Sequence, residues 1–186
     1  MISDSDQETE DLSTLTVKLS GRDKLWGKTK EMFLQTSELA GNYDWVLKAD
    51  DDTFILMENL KAMLSHFNSS SALIGGALWQ CRGNGDCQDW KDRSRKEQLF
   101  MSGGAGYVLS REAVRRFREG QETSCRPGDL GPEDVEMSRC LQRLGVSFID
   151  TRDSQGRWSR NIEKTHSLVD NIGPGSITSH QRTPSI

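Results

Sequence analysis

The sequence predicts an α/β fold built on a mostly parallel sheet, and three observations carry that expectation. A strand expected at Tyr43 to Ala49, around the apolar run Trp45-Val46-Leu47, is followed by helix-spaced Leu56, Leu60, Met63, Leu64 and Phe67, then by a second expected strand, Ala72 to Leu78. Strand, helix, strand in that order is how sheets covered by helices are written. The acid triplet Asp50-Asp51-Asp52 stands directly after the first strand, and the carboxyl ends of strands are where such sheets hold ligands.

Residues 1–20 are acidic and polar apart from a short run at Leu15-Thr16-Val17, which predicts a poorly ordered segment, with the folded domain at 21–186. From Asp23 the pattern is helical: Leu25, Met32 and Leu39 recur at heptad spacing beside Trp26 and Phe33, and Gly41-Asn42 ends the helix. Residues 79–100 are polar and irregular and carry Trp79 and Trp90, so they read as a long loop. The run Met101-Ser102-Gly103-Gly104-Ala105-Gly106-Tyr107 leads into a strand at Val108-Leu109, and Ser110 can cap a helix bearing Val114 and Phe117. Its glycines let backbone approach a ligand closely, although a packed turn at a sheet edge reads the same way. Pro132 suits the first turn of a further helix, whose stripe Met137, Cys140, Leu141 and Leu144 ends at Gly145. Val146 to Ile149 is a short strand, and 156–174 is irregular.

With 186 residues, a net charge of −4, 34% hydrophobic and 28% charged residues, the chain suits one domain with a real core. No basic stripe marks a nucleic-acid binder, and a phosphate-bearing ligand needs a cation to offset the acidic balance. No stretch approaches the roughly 20 apolar residues of a membrane span, and Met1 to Asp11 is not a signal peptide. Asn68-Ser69-Ser70 is a glycosylation sequon, which together with the cysteines fits a secretory lumen. Cys81, Cys87, Cys125 and Cys140 allow three full pairings, of which the nearest-neighbour one is favoured: Cys81 with Cys87, and Cys125 with Cys140. The spacings are poor for zinc; buried thiols are the reading in a reducing compartment.

Carboxylates about 4 Å apart repel and resist desolvation, so the triplet points to a divalent cation, with oxygen ligands favouring Mg, Mn or Ca. A solvated acidic turn is the plainer alternative. Glu133 and Asp134 fall at the positive end of a helix, where pairing with the helix dipole alone accounts for acids. A phosphatase-type Asp-x-Asp-x-Thr loop does not fit, because Thr53 follows Asp52 immediately. His66 reads as a surface residue of its helix, and His166 is not counted as a ligand.

Three motifs in order resemble the inverting β1,3-glycosyltransferases of family 31, and among them the core 1 branch. They are Asp44-Trp45-Val46-Leu47-Lys48-Ala49-Asp50-Asp51-Asp52-Thr53-Phe54, then Met101 through Ser110, then Glu133-Asp134-Val135, and the similarity runs from about Gly21 to His180. The resemblance implies a GT-A fold, a Rossmann-like mixed sheet flanked by helices, whose first strand–helix unit is missing ahead of Met1. It implies transfer of galactose from UDP-galactose to the 3-OH of O-linked GalNAc on Ser/Thr of glycoproteins, with Mn²⁺ or Mg²⁺. By the same resemblance, Asp52, Asp50 and His180 hold the metal, and Asp50, Asp51, Arg22 and Asp23 hold the donor. Asp134 is the base with Glu133 as fallback, and Gly103, Gly104, Ala105, Tyr107 and Trp79 line the substrate. The expected setting is the lumenal side of the Golgi membrane, with a full-length anchored form and a homodimer. An inactive relative acting as a chaperone or glycan-binding protein, and a transferase of other sugar specificity, are the competing functions.

Overall fold

The computed structural model describes residues 2–3, 15–81, 98–149, 151, 160–161 and 178–180. At its centre is a four-stranded sheet in the order β3 (Trp45–Lys48), β8 (Tyr107–Ser110), β5 (Leu73–Gly76), β9 (Ser147–Phe148). β8 is antiparallel to both β3 and β5, whereas β9 is parallel to β5. Three strands therefore share one direction and β8 opposes them, so the sheet is mixed, as the family resemblance implies, where the strand–helix–strand pattern alone expects a mostly parallel one. The cause lies between β5 and β8. The described residues of the connection go out along β6 (Leu78–Cys81) and return along antiparallel β7 (Gln98–Met101), so the chain enters β8 reversed.

The run Ala72 to Leu78, expected as one strand, is accordingly two, with Ala77 between the central sheet and the β6/β7 pair. The loop expected at 79–100 is strand at both ends. Trp90, Cys87 and His166 lie outside the described residues, so the Cys81–Cys87 pairing does too. A third sheet joins β10 (Arg160–Asn161), β11 (Thr178–His180) and β4 (Thr53–Ile55), with β11 antiparallel to β4. β1 (Ile2–Ser3) pairs with β2 (Leu15–Thr16), and Val17 just after it is buried.

Helices cover both faces of the central sheet. Tyr107 and Leu109 of β8 point to one side, where α1 (Leu25–Leu39), α3 (Arg111–Ser124) and α4 (Glu133–Arg143) supply Trp26, Phe33, Val114, Phe117, Met137 and Leu141. Val108 points to the other, against Leu60 and Leu64 of α2 (Met57–Leu64). In α1 the buried face is Trp26, Thr29, Phe33 and Ser37; Leu25 and Leu39, expected on it, are 41% and 46% exposed. The aromatic rings are the larger surfaces to remove from water, and they fix the rotation of the helix.

Ser110 joins layers. Its hydroxyl accepts from the Ala113 N–H at 3.1 Å to cap α3, accepts from the Leu73 N–H at 3.0 Å, and donates to the Ser71 carbonyl at 2.7 Å. Cys125, at the end of α3, is bonded to Cys140 inside α4, as the nearest-neighbour pairing expects. No helix among the described residues is long and apolar enough to cross a membrane.

Replacing Ser110 with Ala removes the cap and leaves a buried N–H without a partner. The expected loss is about 2–3 kcal/mol of stability, read as a lower denaturant midpoint; an unchanged midpoint contradicts this account.

Candidate active site

The acid triplet is a turn closed by its own backbone. The Thr53 N–H donates to the Asp50 carbonyl at 3.1 Å, and Asp51 and Asp52 project on the exposed tip between β3 and β4. Thr53, the first residue of β4, anchors the turn from behind: its hydroxyl donates to the Gly104 carbonyl at 2.9 Å. On the other side Lys48 ends β3, its side chain only 11% exposed. Its ammonium donates to the Asp50 carboxylate and to the Gly103 carbonyl at 3.3 Å, and lies 3.5 Å from Glu133 Oε1.

The glycine run bridges the acidic turn to the acid pair on α4. The Gly103 N–H donates to Asp134 Oδ2 at 3.2 Å, while Asp134 Oδ1 accepts from the Val135 N–H at 2.8 Å. A Cβ on Gly103 would stand 3.0 Å from Glu133 Oε2 and 3.3 Å from Asp134 Cβ, so a side chain here would press on the acid pair. Gly106, at φ +77°, closes the 3-10 turn Gly103–Ala105 by donating to the Gly103 carbonyl; a side chain there would also meet the Lys48 carbonyl at 2.9 Å. Met101 is held to α4 by its N–H donating to the Ser138 hydroxyl at 2.9 Å.

Glu133 is 7% exposed and accepts a hydrogen bond from the Tyr107 hydroxyl at 3.1 Å. Burial raises its carboxyl pKa to about 7, against the pull of the Lys48 ammonium and with further lift from Asp134. Burial also pushes the Tyr107 hydroxyl well above its ordinary range, helped by the Glu133 charge. For Lys48 burial acts downward, but the Glu133 and Asp50 carboxylates overcome it and the ammonium titrates above its ordinary value.

The structure thus brings together Asp50, Gly103, Gly104, Glu133 and Asp134 from the expected set. Tyr107 belongs with them in a different role: its ring is 2% exposed and stacked on Phe33 at 6.2 Å, so it offers no face to a sugar and serves through its hydroxyl. Ala105 is buried, at 1% exposed. Arg22 and Asp23 form an exposed 3-10 turn before α1, a helix fixed by Trp26 Nε1 donating to the Arg126 carbonyl at 3.1 Å and the Gly27 N–H donating to the Asp129 carbonyl. Trp79 lies in β6 and His180 in β11, where the backbone of His180 pairs with Thr53 beside Asp52; their side chains lie outside the described residues. Asn68 is exposed in a turn, its side-chain oxygen accepting from the Ser70 N–H. His66 is on the surface, as expected.

Lys48 and Thr53 were not among the expected site residues. Lys48 had a signal: a lysine within Trp45-Val46-Leu47-Lys48-Ala49 interrupts an apolar strand just before the acids, and a charge placed there needs partners.

Among the described residues no group of three His, Cys, Asp or Glu side chains is already gathered to hold a metal. The donor chemistry is nonetheless that of a hard cation: exposed carboxylates at one turn, opposite the strand that carries His180.

A mixed sheet that delivers an acidic turn and a helix-borne acid pair to one edge is the architecture of a ligand-binding α/β domain. The Fringe-like family model matches residues 5–155, and the chain belongs to that family. It is 38% identical over 138 residues to glycoprotein-N-acetylgalactosamine 3-beta-galactosyltransferase 1 of Xenopus laevis, covering 74% of this chain and 35% of that protein. It is 30% identical to human chondroitin sulfate synthase 3 over 69% of this chain and 15% of the relative, and 31% identical to mouse beta-1,3-glucosyltransferase over 62% and 21%. The chain spans about a third or less of the length of these relatives.

The raised Glu133 pKa makes a signed prediction. Because the native value, about 7, exceeds the ordinary 4.5, the folded state keeps a proton the unfolded chain gives up. Its stabilisation is complete below the unfolded value and fades as pH rises through about 7. Urea midpoints from acid to neutral pH should fall more steeply for the parent than for Glu133→Gln; parallel profiles would refute it.

Proposed function

We propose that this domain catalyses inverting, metal-dependent transfer of galactose from UDP-galactose to the 3-OH of GalNAc linked to Ser/Thr of glycoproteins. The observation that supports it most is the junction at Gly103–Gly104, which sets the acidic turn on one side and Asp134 on the other. A transfer that inverts the sugar needs a donor side and a base facing each other across the anomeric carbon. The name of the Xenopus relative supplies the sugar and acceptor.

In this reading Asp134 takes the proton from the acceptor 3-OH as its oxygen bonds to the anomeric carbon. The bond from that carbon to the diphosphate breaks on the opposite face and UDP leaves. Asp134 suits the role because it is half-exposed at the mouth of the glycine turn, and each of its oxygens keeps a lone pair beyond the backbone N–H it accepts. Glu133, buried under Tyr107 and Lys48, supports the geometry. Mn²⁺ or Mg²⁺, held by Asp52 and Asp50 with His180, would offset the charge on the leaving diphosphate. Asp51 orients the donor. In this reading the protein works on the lumenal side of the Golgi membrane, a setting that the Asn68 sequon and the Cys125–Cys140 bond support. Similarity to relatives named for chondroitin synthesis and glucose transfer favours, as the second reading, a β1,3-transferase of other sugar specificity.

Two measurements test this. Galactose transfer by the full-length protein should need Mn²⁺ or Mg²⁺, vanish in chelator and be abolished by Asp52→Asn; transfer undiminished in either case removes the metal mechanism. Asp134→Asn should lower turnover by about 10²–10⁴-fold, the usual value of a general base, with UDP binding kept. Turnover within a few-fold of the parent refutes the assignment, and preferential use of another UDP-sugar selects the second reading.

A further inference from the structure

We propose that Lys48 is a positioning residue that locks the donor side of the site to its acceptor side, so that the acidic turn and Asp134 are held as one unit. This rests on the transfer reaction proposed above.

A lysine ammonium carries three donors, tetrahedrally disposed, and accepts nothing. Around Lys48 three acceptors come from three segments: the Asp50 carboxylate from the turn, the Gly103 carbonyl at 3.3 Å from the glycine run, and Glu133 Oε1 at 3.5 Å from α4. The side chain is 11% exposed, so water replaces these partners poorly. The Tyr107 ring lies 5.9 Å below the ammonium and returns its hydroxyl to the same Glu133 oxygen, which closes the cluster from the core side. The Gly103 residue is held on both sides, its carbonyl accepting from Lys48 and its N–H donating to Asp134. Moving Lys48 therefore moves the carboxylate assigned as base, through a single residue. The same ammonium also holds the Asp50 carboxylate, so donor and acceptor groups share one support. An arginine carries charge but presents a planar fork, which does not satisfy three acceptors arranged around a point.

The test compares Lys48→Met, Lys48→Arg, Glu133→Gln and the double Lys48→Met/Glu133→Gln in the full-length protein. It reads kcat per folded molecule, melting temperature, and UDP affinity with Mn²⁺ by calorimetry. Lys48→Met should lower kcat on the order of 10²-fold, the scale of misplacing reacting groups by about 1 Å, and Lys48→Arg should recover part of it. The double variant should cost no more than the worse single, because both remove the same link. A kcat for Lys48→Met within about 3-fold of the parent, or single losses that multiply in the double, overturns the proposal. So does a melting-temperature drop with kcat per folded molecule unchanged, which is what a merely structural lysine gives. If Lys48→Met does not fold, Lys48→Arg decides: full parental kcat overturns the proposal, and a reduced kcat at parental melting temperature supports it. If the parent transfers no galactose, the transfer reading fails separately. UDP affinity with Mn²⁺ then tests Lys48: weakening by about 10-fold or more in Lys48→Met supports the coupling, and an unchanged affinity overturns it.

Discussion

The site depends on the burial of one positive charge. A lysine ammonium removed from water is tolerated only among acceptors, and Lys48 gathers them from β3's own turn, from the glycine run and from α4. Each of those segments is anchored independently. The turn is tied by Thr53, the glycine run by the reversal at Gly106, and α4 by the Cys125–Cys140 bond and its apolar stripe. The charge cluster therefore selects one relative placement of elements whose own folding is fixed elsewhere, which is what a reacting constellation requires.

The same cluster explains why the glycines are where they are. Gly103 lets α4 come within contact of the turn, and Gly106 adopts a positive φ under the Lys48 carbonyl. Gly76 on β5 faces Tyr107 with the same closeness, since a Cβ there would stand 3.0 Å from the tyrosine Cβ. These approaches are between protein groups, so the run that reads as a ligand-cradling loop acts first as the seam between β8 and α4.

Much of this was legible in the sequence. The elements α2 and α4, the Ser110 cap and the Cys125–Cys140 pairing follow from apolar spacing, cap chemistry and nearest partners. Direction was not legible in the residue pattern, and only the resemblance implied a mixed sheet: whether β8 runs with or against β3 depends on the β6/β7 excursion, whose polar middle gives no periodic signal. Nor did the spacing of Leu25, Met32 and Leu39 reveal the buried face of α1, because two large rings outweigh exposed leucines in setting its rotation. In the site, the acids announced themselves by residue type, whereas Lys48 and the hydroxyl of Tyr107 act through partners distant in sequence. An amphipathic residue such as tyrosine reads equally as core or platform until its neighbours are known.

Glu133 and Asp134 show how adjacent, chemically similar residues part company. Successive residues on a helix point about 100° apart, so at the first turn of α4 one carboxylate must face the sheet if the other faces the opening. Glu133 turns inward, where the extra methylene reaches Tyr107 and Lys48 and burial lifts its pKa to about 7. Asp134 turns to the rim, where the Gly103 and Val135 N–H groups hold it. The inner acid meets the cation, and the outer one is held by backbone N–H groups. Exchanging the two would bury the shorter side chain out of reach of Lys48, which is why their order in the chain carries chemical meaning.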